Sequence, residues 1–477
     1  MHENGTQFNG EDDKKQRPSF LHAAICFLGV LLMISIGLFL YEISVHAVIF
    51  FALLWVGVNA ARLGYSFIEI RNMMNSGISN ALPAIYIFLL IGMVIASFMQ
   101  SGTVPSLIYY GLDILNPAIF LAAGLVLCSL MSVATGTSWG TVGTVGVVLI
   151  GIGETMGIPL PIVAGMIVSG ATFGDKLSPI SDTTNLAAMS AGTNLYRHIH
   201  VMLYTTVPTF LVVLIIFVIF GVQYAENSLP TDKIDEIKAA LLGAYQLNLF
   251  ITLLPILLMF GLSMKRYSPE ISMSSSILLA MAIAVIYQGK EIVEVVNALW
   301  QNQVGETGVE NIDTLLGRGG IYSMAWTLLL SIMALALGGI LHHARFLRVL
   351  LAFIIQKIQR VSVLIATTIF SGFFSNVAMG EAYISIILNC QLFKDSYHNR
   401  GLDKAVLSRS VEEGSTMTTG LIPWTTAGAF YAATLGVTTL EYAPYAFLNL
   451  LNPVISIFMA ILGIGLLRNF QQKKLLL

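Results

Sequence analysis

Two aspartates and a lysine lie inside an apolar stretch of the chain. Asp175, Lys176 and Asp182 fall within residues 159–191, where a charge at the centre of a bilayer would cost at least about 2.5–3.5 kcal/mol. The residues next to Asp182 carry hydroxyl groups, namely Ser181, Thr183 and Thr184. Carboxylate and hydroxyl oxygens are hard ligands that suit Na⁺, and burial raises the pKa of a carboxylate, so that protons can compete for it. We therefore predict that Asp175 and Asp182 bind Na⁺ or H⁺ alternately, with the three hydroxyls completing the site.

Other polar residues occur where the remaining apolar stretches are interrupted. Glu381 lies in one interruption and is predicted to bind a cation or proton, the alternative being a helix cap or a buried hydrogen bond. The hydroxyl and amide residues that could contact a substrate, or could instead satisfy the broken backbone, are Thr135, Thr137, Ser138, Thr141, Ser375, Asn376, Thr418, Thr419, Thr425 and Thr426. Glu412 and Glu413 precede an interruption and are expected at the inner membrane interface, with a role in the site as the alternative. His198 is expected at the same interface.

The composition indicates whether the chain folds in water or in a membrane. Of 477 residues, 56% are hydrophobic and only 10% are charged, too few charges to cover a soluble fold. The net charge of −2 excludes a basic face for nucleic acid. We find no Cys/His metal spacing and no nucleophile–base pairing, so the sequence predicts neither an enzyme nor a bound metal or cofactor. The chain is predicted to be an all-α polytopic membrane protein.

Apolar runs of 17 to 24 residues are long enough to cross about 30 Å of hydrocarbon. The predicted segments are 20–41, 45–61, 81–100, 117–153, 159–191, 200–221, 247–264, 271–288, 321–341, 361–390 and 446–467, with a further interrupted segment around 413–426. Polar interruptions occur at 135–141, 174–184, 375–381 and 413–426. Broken helices survive in a bilayer only inside protein or beside a water-filled cavity. In transporters such breaks occupy corresponding positions of inverted repeats and form the binding site.

The order of the elements repeats, which predicts an internal duplication. We divide the chain into a cytoplasmic tail (1–19), a first repeat (20–222), an extracytoplasmic linker (223–246), a second repeat (247–467) and a cytoplasmic tail (468–477). Ile180–Thr184 matches Ile422–Thr426 at an offset of 242 residues.

Charge bias predicts the orientation of the repeats. If 117–153 and 361–390 are re-entrant hairpins, nineteen of the 24 Lys and Arg fall in loops on the side of the N-terminus and four fall in loops opposite. The positive-inside rule then places the N-terminus in the cytoplasm. Each repeat has about five transmembrane helices, some discontinuous, plus a re-entrant hairpin, and the odd number of crossings inverts the second repeat.

Three motifs carry a family resemblance. The runs Ala134–Thr141, Gly174–Ala187 and Gly420–Trp424 resemble the NhaC family of bacterial Na⁺/H⁺ antiporters, and the resemblance extends over about residues 20–467. It implies a carrier of the ion-transporter superfamily in the bacterial inner membrane, with inverted repeats. It also implies Na⁺ extrusion driven by proton influx, with Asp175 and Asp182 as the motif carboxylates and no cofactor besides the transported Na⁺ and H⁺.

A second function stays open at this stage. The NhaC family includes carriers that exchange organic acids, such as malate and lactate, together with Na⁺ and H⁺. Lys176 could therefore hold the carboxylate of an organic acid or amino acid, or it could simply balance an aspartate. A channel is disfavoured because the breaks are paired rather than arranged along a continuous polar pore. The coupling stoichiometry, ion selectivity and oligomeric state, including a homo-oligomer, are left open.

Overall fold

The computed structural model describes residues 17–79, 82–114, 116–225, 231–265, 267–303, 305, 313, 316–355 and 358–467. All regular structure in these residues is helical. The first half contains α1 (Phe20–Ser35), α2 (Val45–Arg62), α3 (Phe67–Ser79), α4 (Leu82–Gln100), α5 (Thr103–Ile114), α6 (Pro117–Thr135), α7 (Ser138–Thr141), α8 (Val147–Thr155), α9 (Leu160–Leu177), α10 (Asp182–Ala191) and α11 (Leu195–Ala225). Short π-helical turns continue α1 over Ile36–Leu40 and join α7 to α8 over Val142–Gly146.

The second half is built in the same way. It contains α12 (Thr231–Ala244), α13 (Leu249–Thr252), α14 (Leu254–Met264), α15 (Pro269–Ile286), α16 (Ile292–Trp300), α17 (Ile321–His343), α18 (Phe346–Ile355), α19 (Val361–Met379), α20 (Ala382–His398), α21 (Lys404–Gly414), α22 (Thr416–Thr419), α23 (Thr426–Leu435), α24 (Thr439–Tyr442) and α25 (Phe447–Leu462). Both predicted tails lie almost wholly outside the described residues, as does part of the predicted linker.

Eight of the described helices are long and apolar enough to cross a membrane, and eleven spans result if each of three bent helix pairs counts as one. The prediction of an all-α polytopic membrane protein is therefore confirmed. The ten crossings and two re-entrant hairpins stay predictions, because the number of crossings depends on how the broken segments are counted.

Local capping explains why two of the helices break where they do. Gly136 ends α6 with a φ of 71°, a left-handed conformation that favours glycine. Thr137 then begins α7 by accepting a hydrogen bond from the backbone N–H of Gly140. In the second half Gly380, with a φ of 68°, ends α19, and Glu381 begins α20 as its N-cap.

The interruption predicted at 174–184 is shorter than the sequence indicated. It covers only residues 178–181, between α9 and α10. Asp175 and Lys176 consequently lie in the last turn of α9, and Asp182 is the first residue of α10, after its N-cap Ser181. Both ends of this break therefore carry charged side chains.

Equivalent backbone features recur at one constant separation of 244 positions. The pairs are Gly136 and Gly380, Thr137 and Glu381, Ser181 and Thr425, and Gly192 and Gly436. In each pair both members cap the corresponding helix. The structural offset is two residues longer than the 242 taken from the match between Ile180–Thr184 and Ile422–Thr426. Pro179 and Pro423 share the new register, which supports the predicted duplication.

Glycines allow the broken helices to cross closely. A Cβ at Gly174 of α9 would lie 2.2 Å from the carbonyl oxygen of Ser129 in α6. A Cβ at Gly414 of α21 would lie 2.2 Å from the carbonyl oxygen of Ile369 in α19. Only glycine leaves room for such approaches. These two crossings hold the breaks of each half against each other.

Candidate functional site

The four predicted interruptions meet at one cavity of about 860 Å³. Each contributes residues from the start or end of a helix: Thr137 and Ser138 at α7, Asp175 and Lys176 at the end of α9, Asp182 and Thr183 at α10, Glu381 and Ala382 at α20, and Thr426 at α23. The chain that begins α15 completes the wall with Tyr267, Ser268 and Glu270. Helix ends leave backbone groups unpaired, so the cavity is lined by polar backbone as well as by charged side chains.

Lys176 connects the two halves of the protein electrostatically. Its Nζ lies 3.0 Å from Oδ2 of Asp175 and 3.1 Å from Oε1 of Glu412 in α21. The same nitrogen donates a hydrogen bond of 2.8 Å to the hydroxyl of Thr183. The lysine side chain is 1% exposed. The alternative in which Lys176 balances an aspartate is therefore present in the structure, and Lys176 contacts two carboxylates at once.

Glu412 is buried, although we expected it at the membrane interface. Its second oxygen, Oε2, lies 2.6 Å from Nε2 of His198, and neither side chain has measurable exposure. Nδ1 of His198 in turn lies 2.6 Å from Oγ of Ser408. Both residues are buried in protein, because α21 runs inside the helix bundle, where α10, α11, α19 and α20 surround it. Their depth relative to the membrane interface stays a prediction.

Glu413 is equally buried and faces a separate set of partners. Arg409 lies 3.8 Å from its Oε1, and Thr205 and Ser456 donate hydrogen bonds to it at 2.6 and 2.5 Å. A buried carboxylate needs such compensation. Glu413 therefore belongs to the internal scaffold rather than to the cavity wall.

Asp175 presents one satisfied and one unsatisfied oxygen. Oδ2 contacts Lys176 and accepts a hydrogen bond of 3.3 Å from Ser138, whose own oxygen accepts one of 3.0 Å from Tyr431. Oδ1 is buried without a hydrogen-bond partner, and so is the hydroxyl of Thr419 on the same cavity wall. Buried polar atoms without a partner are rare and costly. Asp175 therefore keeps one buried carboxylate oxygen that has no hydrogen-bond partner in the protein.

The other two predicted carboxylates, Asp182 and Glu381, line the same cavity. Asp182 is exposed to the cavity and accepts a short hydrogen bond from the hydroxyl of Tyr383. Glu381 is 2% exposed, accepts a hydrogen bond of 2.8 Å from Thr426, and caps α20 at Tyr383. Tyr383 thus lies between a carboxylate of each half.

The hydroxyls near Asp182 do not form a cage around it. Thr183 accepts from Lys176, Thr184 donates to Glu412 at 3.2 Å, and Ser181 caps α10. No group of three or more His, Cys, Asp and Glu residues with the geometry of a metal site occurs in the described part of the chain. The predicted shell of hydroxyls around Asp182 is therefore not formed, and the roles of Asp175 and Asp182 as cation ligands stay predictions.

Several of the remaining predicted residues form hydrogen bonds with backbone carbonyls or side chains of the protein. Thr135 donates to the carbonyl of Met131, Thr425 to that of Thr419, and Asn376 to that of Ser415. Ser375 accepts a hydrogen bond of 3.1 Å from Asn389. Ser138 and Thr426 are different, since each contacts a carboxylate of the site.

Sequence reasoning missed His198, Tyr383 and Tyr431 as members of the site. Each is far in the chain from the residue that it contacts, so spacing carries no signal. For Glu412 the sequence did contain a signal, because this residue is one of two adjacent carboxylates just before an interruption in an apolar stretch.

The fold and the cavity define a polytopic membrane carrier with discontinuous helices. The sequence matches the profile of the Na⁺/H⁺ antiporter family over residues 19–222 and 170–464, and the chain belongs to that family. It is 38% identical to the Na⁺/H⁺ antiporter NhaC of Alkalihalophilus pseudofirmus over 92% of this chain and 95% of that protein. It is also 37% identical to the malate-2H⁺/Na⁺-lactate antiporter of Bacillus subtilis, over 91% of this chain and 93% of the relative. The arginine/ornithine antiporter ArcD of Halobacterium salinarum is 31% identical over 94% of this chain and 93% of its own length. The NhaC resemblance derived from the motifs is confirmed.

Proposed function

We propose that the protein exports Na⁺ in exchange for H⁺ by alternating access. The observation that carries the proposal is the buried, unpaired Oδ1 of Asp175, a residue that lines the central cavity. Na⁺ or a proton bound to this oxygen would offset the free-energy cost of burying a carboxylate oxygen without a partner. Because both ligands use the same oxygen, binding of one excludes the other, which is the requirement for exchange.

Alternating access requires one side of the protein to be open and the other closed. Tyr267, Ser268 and Glu270 line the cavity and follow Lys265, which is in a loop predicted to be cytoplasmic. Arg318, in the second half of the chain, lies 3.7 Å from Glu154 and donates a hydrogen bond of 3.3 Å to the carbonyl of Leu435. We place the open end in the cytoplasm, with the N-terminus on the same side, and assign Arg318 to the closed external side.

A flux measurement on a variant in which an amide replaces the Asp175 carboxylate tests the proposal. In everted vesicles that contain the protein, addition of Na⁺ should release protons from the lumen, followed as recovery of a quenched pH probe. Asp175→Asn should lose at least about 90% of this exchange, since an amide neither ionises nor replaces the anionic ligand. Asp395→Asn, at an exposed position of α20, is the control and should exchange normally. Full exchange by Asp175→Asn would refute the role of this carboxylate.

A second candidate function is favoured by the size of the cavity. About 860 Å³ falls in the range of pockets that hold small organic molecules, whereas a bare Na⁺ needs far less space. Lys176 on the wall could approach a carboxylate, and two relatives are named for the exchange of organic acids or amino acids. Proteoliposomes loaded with unlabelled malate, lactate, arginine or ornithine should accumulate the same labelled solute by counterflow. Intact Na⁺/H⁺ exchange without counterflow of any of them would remove this candidate.

A further inference from the structure

Two buried oxygens without partners occupy equivalent positions in the two halves of the chain. Oδ1 of Asp175 and the hydroxyl oxygen of Thr419 are buried and have no hydrogen-bond partner among the described residues. The two residues are 244 positions apart, which is the separation of the equivalent helix caps. Their backbone is equivalent too, because their carbonyl oxygens accept hydrogen bonds of 3.3 Å from the N–H groups of Ser178 and Ile422. Each half therefore brings the same position to the wall of the cavity.

A short series of contacts connects these two residues. Ser138 donates a hydrogen bond to Asp175 and accepts one from the hydroxyl of Tyr431. The ring of this tyrosine packs on the residue that follows Thr419, since a Cβ at Gly420 would lie 2.8 Å from its Cε2. Asp175 and Thr419 are thus connected through one serine and one tyrosine, and all four residues line the same cavity.

The two oxygens differ in what they can bind. A carboxylate oxygen binds either a proton or a cation, whereas a threonine hydroxyl offers lone pairs to a cation and takes up no proton at physiological pH. A proton on Asp175 needs no second oxygen, but a hard cation that leaves water needs several oxygen ligands. A cation between Asp175 and Thr419 would gain one anionic and one neutral ligand, and both buried oxygens would gain a partner.

We propose that Na⁺ binds between the two halves of the protein, with the carboxylate of Asp175 and the hydroxyl of Thr419 as ligands. The inference rests on the proposed function, and it makes Thr419 the residue that distinguishes Na⁺ from H⁺ at the shared carboxylate. The sequence left two roles open for this threonine, contact with a substrate or a hydrogen bond to the broken backbone. Its hydroxyl has no backbone partner, which favours the first role. Because each half supplies one ligand, a movement of one half against the other changes the affinity for Na⁺, as alternating access requires.

Removal of the hydroxyl should weaken the binding of Na⁺ and leave that of the proton intact. Thr419→Val replaces the hydroxyl with a methyl group of similar size. In proteoliposomes the half-saturating Na⁺ concentration for exchange should rise at least about tenfold at each pH, as for the loss of a group that supports a metal site. The slope of this concentration against pH, which reports competition by protons at Asp175, should stay at the wild-type value. Thr419→Ser keeps the oxygen and should retain most of the affinity.

The matched control is another buried hydroxyl. Oγ1 of Thr434 is also buried and without a partner among the described residues, but this threonine is not part of the cavity wall. Thr434→Val should therefore leave the half-saturating Na⁺ concentration unchanged. A wild-type Na⁺ affinity in Thr419→Val, or an equal loss in Thr434→Val, would overturn the proposal.

A measurement of stability separates the loss of a ligand from damage to the fold. A buried hydroxyl without a partner does not stabilise a protein, so without Na⁺ Thr419→Val should unfold at the wild-type temperature or above it. Na⁺ should raise the unfolding temperature of the wild type by mass action, and the variant should need at least about tenfold more Na⁺ for the same rise. A lower unfolding temperature without Na⁺, combined with a normal response to Na⁺, would show a structural role and overturn the proposal.

Two further outcomes separate this inference from the proposed function. If the wild type exchanges no Na⁺ for H⁺, the proposed function fails. If the wild type exchanges and Thr419→Val responds to Na⁺ as the wild type does, only the role of Thr419 fails. Thr419→Ala, which also lacks the hydroxyl, provides the same comparison if Thr419→Val does not fold.

Discussion

At the scale of single residues, Lys176 determines whether the buried charges are tolerable. It contacts Asp175 and Glu412 at about the same distance and is itself almost fully buried. Removing one partner from a buried ion pair leaves an uncompensated charge, which costs about 3–5 kcal/mol. The lysine is therefore a structural requirement of the site, whether or not it also contacts a solute.

Replacement of this lysine gives a prediction for stability. Lys176→Met, similar in length but uncharged, should lower the free energy of unfolding by about 3–5 kcal/mol, because two buried carboxylates then face each other. Thermal unfolding of the detergent-solubilised protein, followed by size-exclusion chromatography, measures the change. The additional substitution Glu412→Gln should recover part of the loss.

The matched control is an exposed ion pair. Arg197 lies 3.1 Å from Asp403 and is 46% exposed. Exposed pairs contribute at most about 1 kcal/mol, so Arg197→Gln should change the unfolding temperature little. Equal effects of Lys176→Met and Arg197→Gln would mean that the buried cluster does not depend on its lysine.

At the scale of helices, the site depends on two close crossings, one in each half. α9 crosses α6 at Gly174, and α21 crosses α19 at Gly414. Asp175 follows the first glycine, and Glu412 precedes the second by two residues. The positions of the two carboxylates relative to Lys176 therefore depend on how closely these helices approach.

A methyl group at either crossing should separate the helices. Gly174→Ala and Gly414→Ala each place a Cβ 2.2 Å from a backbone oxygen that cannot move away as a side chain can. We expect a loss of about 1–3 kcal/mol in stability, as for overpacked cores, and a weaker apparent affinity for Na⁺. Thermal unfolding and Na⁺-dependent exchange measure the two effects. Gly57→Ala in α2, where a Cβ meets no atom within 4 Å, is the control, and a similar effect there would contradict the argument.

At the scale of the whole molecule, the loop charges predict which side of the protein faces the cytoplasm. Glu270 belongs to the cavity wall near the loop between α14 and α15, whereas Gln303 is exposed beyond α16. The loop charges predict that the first lies inside and the second outside. The three cysteines are buried, so new cysteines can be labelled selectively.

Labelling from each side gives the orientation. A membrane-impermeant maleimide should modify Glu270→Cys in everted vesicles and not in right-side-out vesicles. Gln303→Cys should show the opposite pattern. The unsubstituted protein, with its buried Cys26, Cys128 and Cys390, is the background control. Labelling of both positions from the same side would refute the predicted topology.

Much of the architecture could be predicted from the sequence. Long apolar runs cannot be buried in a soluble fold, and polar interruptions in them must be shielded by protein, so the membrane class and the breaks follow from local composition. Asp175, Lys176 and Asp182 were found because a charge in such a run is costly. The repeat offset was missed by two residues, since it depends on caps such as Gly136 and Gly380, which are recognisable as equivalent only once the helices are known.

The sequence by itself determined that this protein folds in a membrane, where its helices break and which carboxylates lie at the breaks. Each of these properties depends on residues that are close together in the chain. Only the tertiary structure decided which of these carboxylates share a lysine. Glu412 is more than 200 positions from Lys176 and reaches it because α21 is packed inside the helix bundle. His198 joins the same cluster from a third helix. Contacts between distant segments depend on packing geometry, and no local pattern encodes them.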